Sequence, residues 1–117
     1  MPTMVILVLE NVDRLEDVLN AWWEAGAPGI TILESSGAAR YLARHGVRED
    51  VPIFPRLSNF LGHEETHNRT LFAVLPDGFD VENLFDATET VVGKLELPGN
   101  GVIFALPVLH VRGHQRI

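Results

Sequence analysis

The stretch Met4-Val-Ile-Leu-Val-Leu9 is an unbroken apolar run near the start of the chain, rich in β-branched residues. Such a short run predicts a buried strand. Successive side chains of a strand point to opposite faces of its sheet, so this run places apolar groups on both faces. The sequence therefore predicts a sheet that needs cover on each side.

Outward from this strand, apolar residues at helical spacing predict two helices. Asp13 and Glu16 have the spacing of a capping box, which predicts that the first helix begins at Asp13. Asp80 is the predicted cap of the second helix. The adjacent Trp22 and Trp23 point about 100° apart on the first helix, so one of them is expected in the core.

Three further strands are predicted at 30–34, 70–75 and 102–111, the last of them interrupted by Pro107. The order β-α-β-β-α-β predicts an α+β, ferredoxin-like fold with an antiparallel four-stranded sheet, as one domain over residues 1–117. Two helices can cover only one face of such a sheet. Because the strands are apolar on both faces, the uncovered face predicts association with further copies of the chain.

The composition excludes several classes of function. The chain of 117 residues carries 16 acidic and 9 basic residues, a net charge of −7, which argues against a nucleic-acid or anionic-membrane partner. Without cysteine it can form no disulfide and no cysteine-ligated metal site. No apolar run reaches the roughly 20 residues of a membrane helix, and the start of the chain lacks the basic leader of a signal peptide. We therefore expect a cytoplasmic protein with no membrane insertion.

Residues 35–68 separate the second and third strands by far more than a hairpin turn requires. Loops of more than about 15 residues are usually functional or disordered. This segment contains several basic residues and an apolar patch, Val51-Pro52-Ile53-Phe54. We therefore expect the loop to do more than connect two strands.

A possible metal motif lies in the same loop. His63-Glu64-Glu65-Thr66-His67 matches the H-E-x-x-H pattern of zinc metalloproteases. On a helix, His63 and His67 would share a face and could bind zinc, with Glu64 polarising water. The third strand follows at once and a third ligand is still required, so we favour a solvated loop tip without metal. A zinc hydrolase built on His63 and His67 is kept as an alternative function.

Four short motifs, which together span nearly the whole chain, point to a known family. They are Gly29-Ile-Thr-Ile32 leading to Gly37, Asp50-Val-Pro-Ile-Phe54, Val91-Val-Gly-Lys94 with Pro98-Gly-Asn-Gly101, and Ile103-Phe-Ala-Leu-Pro-Val108. They resemble, in that order, the second strand with the root of the T-loop, a patch within the T-loop, the B-loop and the last strand of the nitrogen-regulatory PII superfamily. The second and fourth motifs are similar to a poorly characterised PII-like subgroup.

The resemblance implies a homotrimeric signal-transduction protein, not an enzyme, whose sheets face inward. In such proteins adenine nucleotides bind in clefts between subunits, formed by the B-loop of one chain and the T-loop root of the next. The T-loop then contacts a regulated enzyme or transporter. For this chain the resemblance implies no required cofactor, an adenine nucleotide or another small anion as the effector, and a role in nitrogen or carbon metabolism.

The resemblance places the effector-binding residues at the T-loop root, the B-loop and the last strand. They are Thr31, Gly37, Arg40, Lys94, Gly99, Asn100, Gly101, His110 and Arg112. The partner-binding residues it implies are Val51, Pro52, Ile53 and Phe54. Where typical members have Gly-Asp-Gly-Lys, this chain has Gly-Asn-Gly followed by Val102, so the phosphate-binding lysine is absent. A cyclic dinucleotide or bicarbonate is an alternative effector, and a structural oligomer without any effector is a further alternative function.

Overall fold

In the computed structural model, a four-stranded antiparallel sheet carries two helices on one face. The structure describes residues 1–38 and 67–113, apart from the side chain of His67. The strands are β1 (Thr3–Leu9), β2 (Thr31–Ser36), β3 (His67–Leu75) and β4 (Val102–Pro107), and the helices are α1 (Leu15–Glu24) and α2 (Val81–Val92). The strand order is β2-β3-β1-β4. This order confirms the predicted α+β, ferredoxin-like arrangement.

The strand ends differ from the predicted bounds. β2 continues to Ser36 and β3 begins at His67, so both ends of the predicted loop 35–68 belong to the sheet. These extra residues are polar, so hydrophobic spacing does not indicate a strand there. The two strands extend through them because Ser35 pairs with Asn68 and Ser36 with His67. β4 ends at Pro107, short of the predicted end at Val111, because proline has no N–H with which to continue the ladder.

The start of the first helix also differs from the prediction. The side chain of Asn11 accepts a hydrogen bond from the N–H of Asp13 at 3.2 Å and caps a short 3-10 turn that precedes α1. The predicted capping box at Asp13 is therefore wrong. The cap of the second helix is confirmed, since Asp80 Oδ1 accepts from the N–H of Asn83 at 3.0 Å. Neither α1 nor α2, the two α-helices of the described ranges, is long and apolar enough to cross a membrane.

One face of the sheet forms the core together with the helices. Val5, Leu7 and Leu9 alternate along β1 and are fully buried. The other core residues are Val18, Trp22, Ala27, Leu71, Ala73, Leu75 and Leu84. Trp22 is the buried tryptophan of the adjacent pair, whereas Trp23 is 71% exposed.

The opposite face of the sheet, called here the helix-free face, is also apolar. The strand register places on it Met4, Ile6, Val8, Leu33, Phe72, Val74, Val102, Phe104 and Leu106. Phe104 is 41% exposed and Leu106 is 40% exposed in the single chain. Monomeric proteins rarely expose apolar patches of this extent, and such patches usually mark an interaction surface.

Candidate anion-binding site

Residues 93–101, the loop between α2 and β4, are shaped by hydrogen bonds within the loop. The loop begins at Gly93, whose φ of 88° lies in the left-handed region that favours glycine after a helix. The N–H of Leu97 donates to the Lys94 carbonyl at 3.1 Å, and the side-chain amide of Asn100 donates to the same carbonyl at 2.7 Å. These two bonds fold the loop back towards the end of α2.

Gly101 is the point at which this loop meets the sheet. Its φ is 107°, and a Cβ atom added there would lie 2.1 Å from the carbonyl oxygen of Val8. A side chain at this position would force the loop away from β1, since no Cβ can approach a backbone oxygen so closely. The packing of the loop on the sheet therefore requires glycine here.

The tip of the loop presents backbone donors that are not used. Among the described residues, the N–H groups of Glu96 and Gly99 have no hydrogen-bond partner. Gly99 has a φ of 84° and open space where a Cβ would lie, so an anion can approach its backbone closely. Lys94 is exposed and adds a positive charge beside the C-terminal end of α2, where the helix dipole is negative. These features make the loop a candidate site for a small anion, although it also carries the exposed carboxylate of Glu96.

Thr31 is the first residue of β2 and Gly37 follows its end, so both lie at the opposite edge of the sheet from β4. Thr31 pairs with Phe72, which pairs in turn with Ile6, so the threonine belongs to the helix-free face. Gly37 follows the last residue of β2. β1 and β2 both pair antiparallel to β3, so they run in the same direction and finish at the same end of the sheet. β4 pairs antiparallel to β1 and starts at that end, so Gly37 and the loop 93–101 both lie there.

A polar cluster on the helix-free face was not predicted. The hydroxyl of Ser35 donates to Oδ1 of Asn68 and shares a hydrogen bond of 2.8 Å with the hydroxyl of Thr70. Asn68 is buried, with 8% of its surface exposed. Asn68 and Thr70 are two residues apart, a spacing that places them on one face of a strand. Ser35 joins them only through the pairing of β2 with β3, which the sequence does not reveal.

His110 and Arg112 lie at the other end of the sheet. The chain leaves β4 after Pro107, and the N–H of Val108 donates to the carbonyl of Pro2 at 2.9 Å. Both predicted residues are exposed, and they line an open groove of about 600 Å³. The groove gives these two side chains access to a ligand or to another chain.

The predicted effector residues that the structure describes therefore lie in three parts of the chain: β2 with the adjoining Gly37, the loop 93–101, and the segment after β4. The loop 93–101 and Gly37 lie on opposite edge strands, about 14 Å apart across three strand spacings. His110 and Arg112 lie beyond the far end of β4, whose six residues extend over about 17 Å. These separations keep the three parts from converging on one small anion within a single chain.

The remaining predicted residues are outside the described part of the chain. They are Arg40, Val51, Pro52, Ile53, Phe54 and His63, together with the side chain of His67, whose backbone begins β3. Within residues 1–38 and 67–113, no group of three or more His, Asp or Glu side chains could hold a metal ion. The zinc alternative stays a prediction, because residues 63–66 of its motif and the side chain of His67 are outside the described part of the chain.

Comparison with solved structures identifies the fold. The structure of Bacillus subtilis GlnK matches with a TM-score of 0.58 at 13% identity, covering 92% of this chain and 85% of that chain. The B. subtilis GlnK–ATP complex matches with a TM-score of 0.55 at 14% identity, covering 90% of this chain and 79% of that chain. Arabidopsis thaliana PII bound to citrate matches with a TM-score of 0.58 at 18% identity, covering 92% of this chain and 77% of that chain. No protein-family model and no curated protein matches the chain. The chain has the fold of PII proteins.

Proposed function

We propose that the chain is a PII-like regulatory protein that assembles as a homotrimer and binds a small anion, an adenine nucleotide or a related compound, between its subunits. The observation that carries the proposal is the PII fold of a sheet whose second face is apolar and uncovered. Covering that face stabilises an assembly by roughly 25 cal/mol for each Å² of apolar surface removed from water. A closed ring of three copies covers it on every chain.

The trimer would also supply the cleft that a single chain lacks. Each chain offers Thr31 and Gly37 on one edge strand and the loop 93–101 beside the other. In a ring, the first edge of one chain can lie beside the second edge of its neighbour. The anion would then accept hydrogen bonds from the N–H groups of Glu96 and Gly99 and interact with the Lys94 ammonium. The ATP and citrate complexes of the two similar proteins support an anionic ligand.

Binding, not catalysis, is the proposed activity. An effector changes a protein's behaviour only if it binds two conformations with different affinities. The proposed contact with a partner is made by the predicted loop 35–68, which includes the partner patch Val51-Pro52-Ile53-Phe54. The proposed partner is an enzyme or transporter of nitrogen or carbon metabolism, and the proposed setting is the cytoplasm.

Light scattering tests the assembly. The chain has a mass of 13.0 kDa, so the trimer is expected at three times that value, about 39 kDa. Titration calorimetry against ATP, ADP, AMP, cyclic dinucleotides, bicarbonate and zinc tests the ligand. A monomer at micromolar concentration would contradict the trimer, and a trimer that binds no anion of this series would favour a structural oligomer. Zinc bound at one equivalent, and lost in His67→Ala together with peptidase activity, would favour the hydrolase.

A matched pair of glycine variants tests the loop. Gly99→Val is expected to weaken nucleotide binding at least about tenfold, because the side chain blocks approach to the backbone. Gly78→Val is the control, since Gly78 has a similar φ of 82° and equally open surroundings but lies in the turn before α2. The backbone strain of the two variants is alike, so unequal nucleotide affinities report on the position of the site. Equal affinities would contradict a site at Gly99.

A further inference from the structure

Two side chains, those of Glu89 on α2 and Asn100 near the end of the loop, hydrogen-bond to the backbone of the loop 93–101. The Glu89 backbone carbonyl accepts from the N–H of Gly93 at 2.9 Å, and its carboxylate Oε2 accepts from the N–H of Leu95 at 2.9 Å. Glu89 therefore joins the last turn of α2 to the first residues of the loop. From the other end of the loop, Asn100 donates to the carbonyl of Lys94 at 2.7 Å.

We propose that Glu89 and Asn100 are positioning residues that hold the loop 93–101 in its binding shape before the anion arrives. The inference rests on the proposed function and adds a mechanism to it. A loop that is already ordered loses less conformational entropy on binding, so its ligand affinity is higher. The two bonds leave the N–H groups of Glu96 and Gly99 unpaired and available to an anion.

The chemistry of these two side chains argues against direct contact with the ligand. One of the two N–H groups of the Asn100 amide is hydrogen-bonded within the loop, and the amide nitrogen is directed towards Gly93, 3.3 Å from the place of a Cβ there. The Glu89 carboxylate accepts a hydrogen bond from Leu95 and carries a negative charge, which repels an anion. A residue that weakens anion binding by its charge contributes to the site only through the geometry that it imposes.

Two variants remove these bonds. Asn100→Ala and Glu89→Ala each delete one loop bond and are expected to weaken ATP binding about threefold to tenfold, the range for one net hydrogen bond. Asn20→Ala and Glu82→Ala are the matched controls, because both residues are exposed on helix surfaces away from the loop. The controls are expected to leave the ATP affinity unchanged. All variants are first compared with the wild-type chain in mass and melting temperature.

Glu89→Gln separates geometry from charge. Glutamine keeps an oxygen that accepts from Leu95 and removes the negative charge, so its ATP affinity is expected at or above the wild-type value. If only the charge mattered, Glu89→Ala and Glu89→Gln would strengthen ATP binding alike. Hydrogen exchange of the amides of residues 95–101, measured without ligand, is expected to be faster in Asn100→Ala and Glu89→Ala and unchanged in Glu89→Gln.

The outcomes distinguish this inference from the proposed function. If the wild-type chain binds no anion of the calorimetric series, the proposed function fails and the inference fails with it. If the wild-type chain binds ATP, and Asn100→Ala and Glu89→Ala bind it within twofold, the site stands and only the positioning role is overturned. Unchanged hydrogen exchange in both alanine variants would also overturn it.

Discussion

The two faces of the sheet have similar apolar surfaces but different cover. On β1, the odd residues Val5, Leu7 and Leu9 are fully buried under the helices, whereas the alternate residues Ile6 and Val8 face the side without helices. Side-chain type does not distinguish the two sets, because both contain valine and larger aliphatic residues. The comparison teaches that the position of the helices, not the hydrophobicity of a strand, decides which face forms the core of the chain.

The largest expected effect is on the assembly and concerns the helix-free face. Phe104→Asp places a carboxylate on the part of the helix-free face that the edge strand β4 contributes, which copies of the chain are proposed to cover, and burial of an unpaired charge is costly. We expect the mass measured by light scattering to fall from about 39 kDa to that of one chain, 13.0 kDa, while the circular dichroism spectrum stays that of a folded chain.

Trp23→Asp is the control for this change. Trp23 is a large apolar residue with an even greater exposed fraction, 71%, but it lies on α1 and not on the sheet. We expect this variant to keep the mass of the wild-type assembly. If both variants stayed trimeric, the helix-free face would not be the surface through which the copies associate.

The next largest effect is expected on the helix-covered face. Leu7→Ala leaves a cavity in the core, and we expect it to lower the free energy of unfolding by about 2–5 kcal/mol in a denaturant titration. Ile6→Ala, at the neighbouring position on the other face, is expected to act mainly on contacts between copies, so its effect should vary with protein concentration more strongly than that of Leu7→Ala. A cost under about 1 kcal/mol for Leu7→Ala would contradict the assignment of the core.

The smallest effect is expected at the buried hydrogen bond between Trp22 of α1 and Thr88 of α2. Thr88 Oγ1 accepts from Trp22 Nε1 at 2.9 Å and donates to the Leu84 carbonyl at 2.8 Å, all within the core. Thr88→Val keeps the volume but leaves the indole N–H unpaired, and we expect a loss of about 1–3 kcal/mol in the free energy of unfolding.

Thr90→Val is the matched control for this bond. Thr90 also donates to the carbonyl four residues earlier, that of Asp86 at 2.9 Å, but its bond is exposed to solvent. We expect its cost to stay within about 0.5 kcal/mol. Equal costs for Thr88→Val and Thr90→Val would show that the buried indole contact contributes nothing measurable.

Local patterns in the sequence were enough to predict the order of the helices and strands and to single out the loop 93–101 of the candidate site. The apolar run of β1, the Asp80 cap and the glycines of the loop 93–101 each depend on residues close in the chain, where spacing alone carries the information. The capping role of Asn11 was missed, because Asp13 and Glu16 offered a competing pattern of the same kind. Glu89 was missed for a different reason, since the sequence does not distinguish an acidic helix residue that caps a following loop from one that contacts only water.

By itself, the sequence determined that the chain forms a four-stranded sheet with two helices and that both faces of this sheet are apolar. The reason is that hydrophobic spacing acts locally and differs between strands and helices. Only the tertiary structure decided that β2 and β4 lie at opposite edges, that Ser35 meets Asn68 and Thr70, and that the described residues of the predicted effector site lie in separate parts of the chain. Strand pairing joins residues that are more than 30 positions apart, and its register arises from the packing of the whole sheet rather than from any one segment.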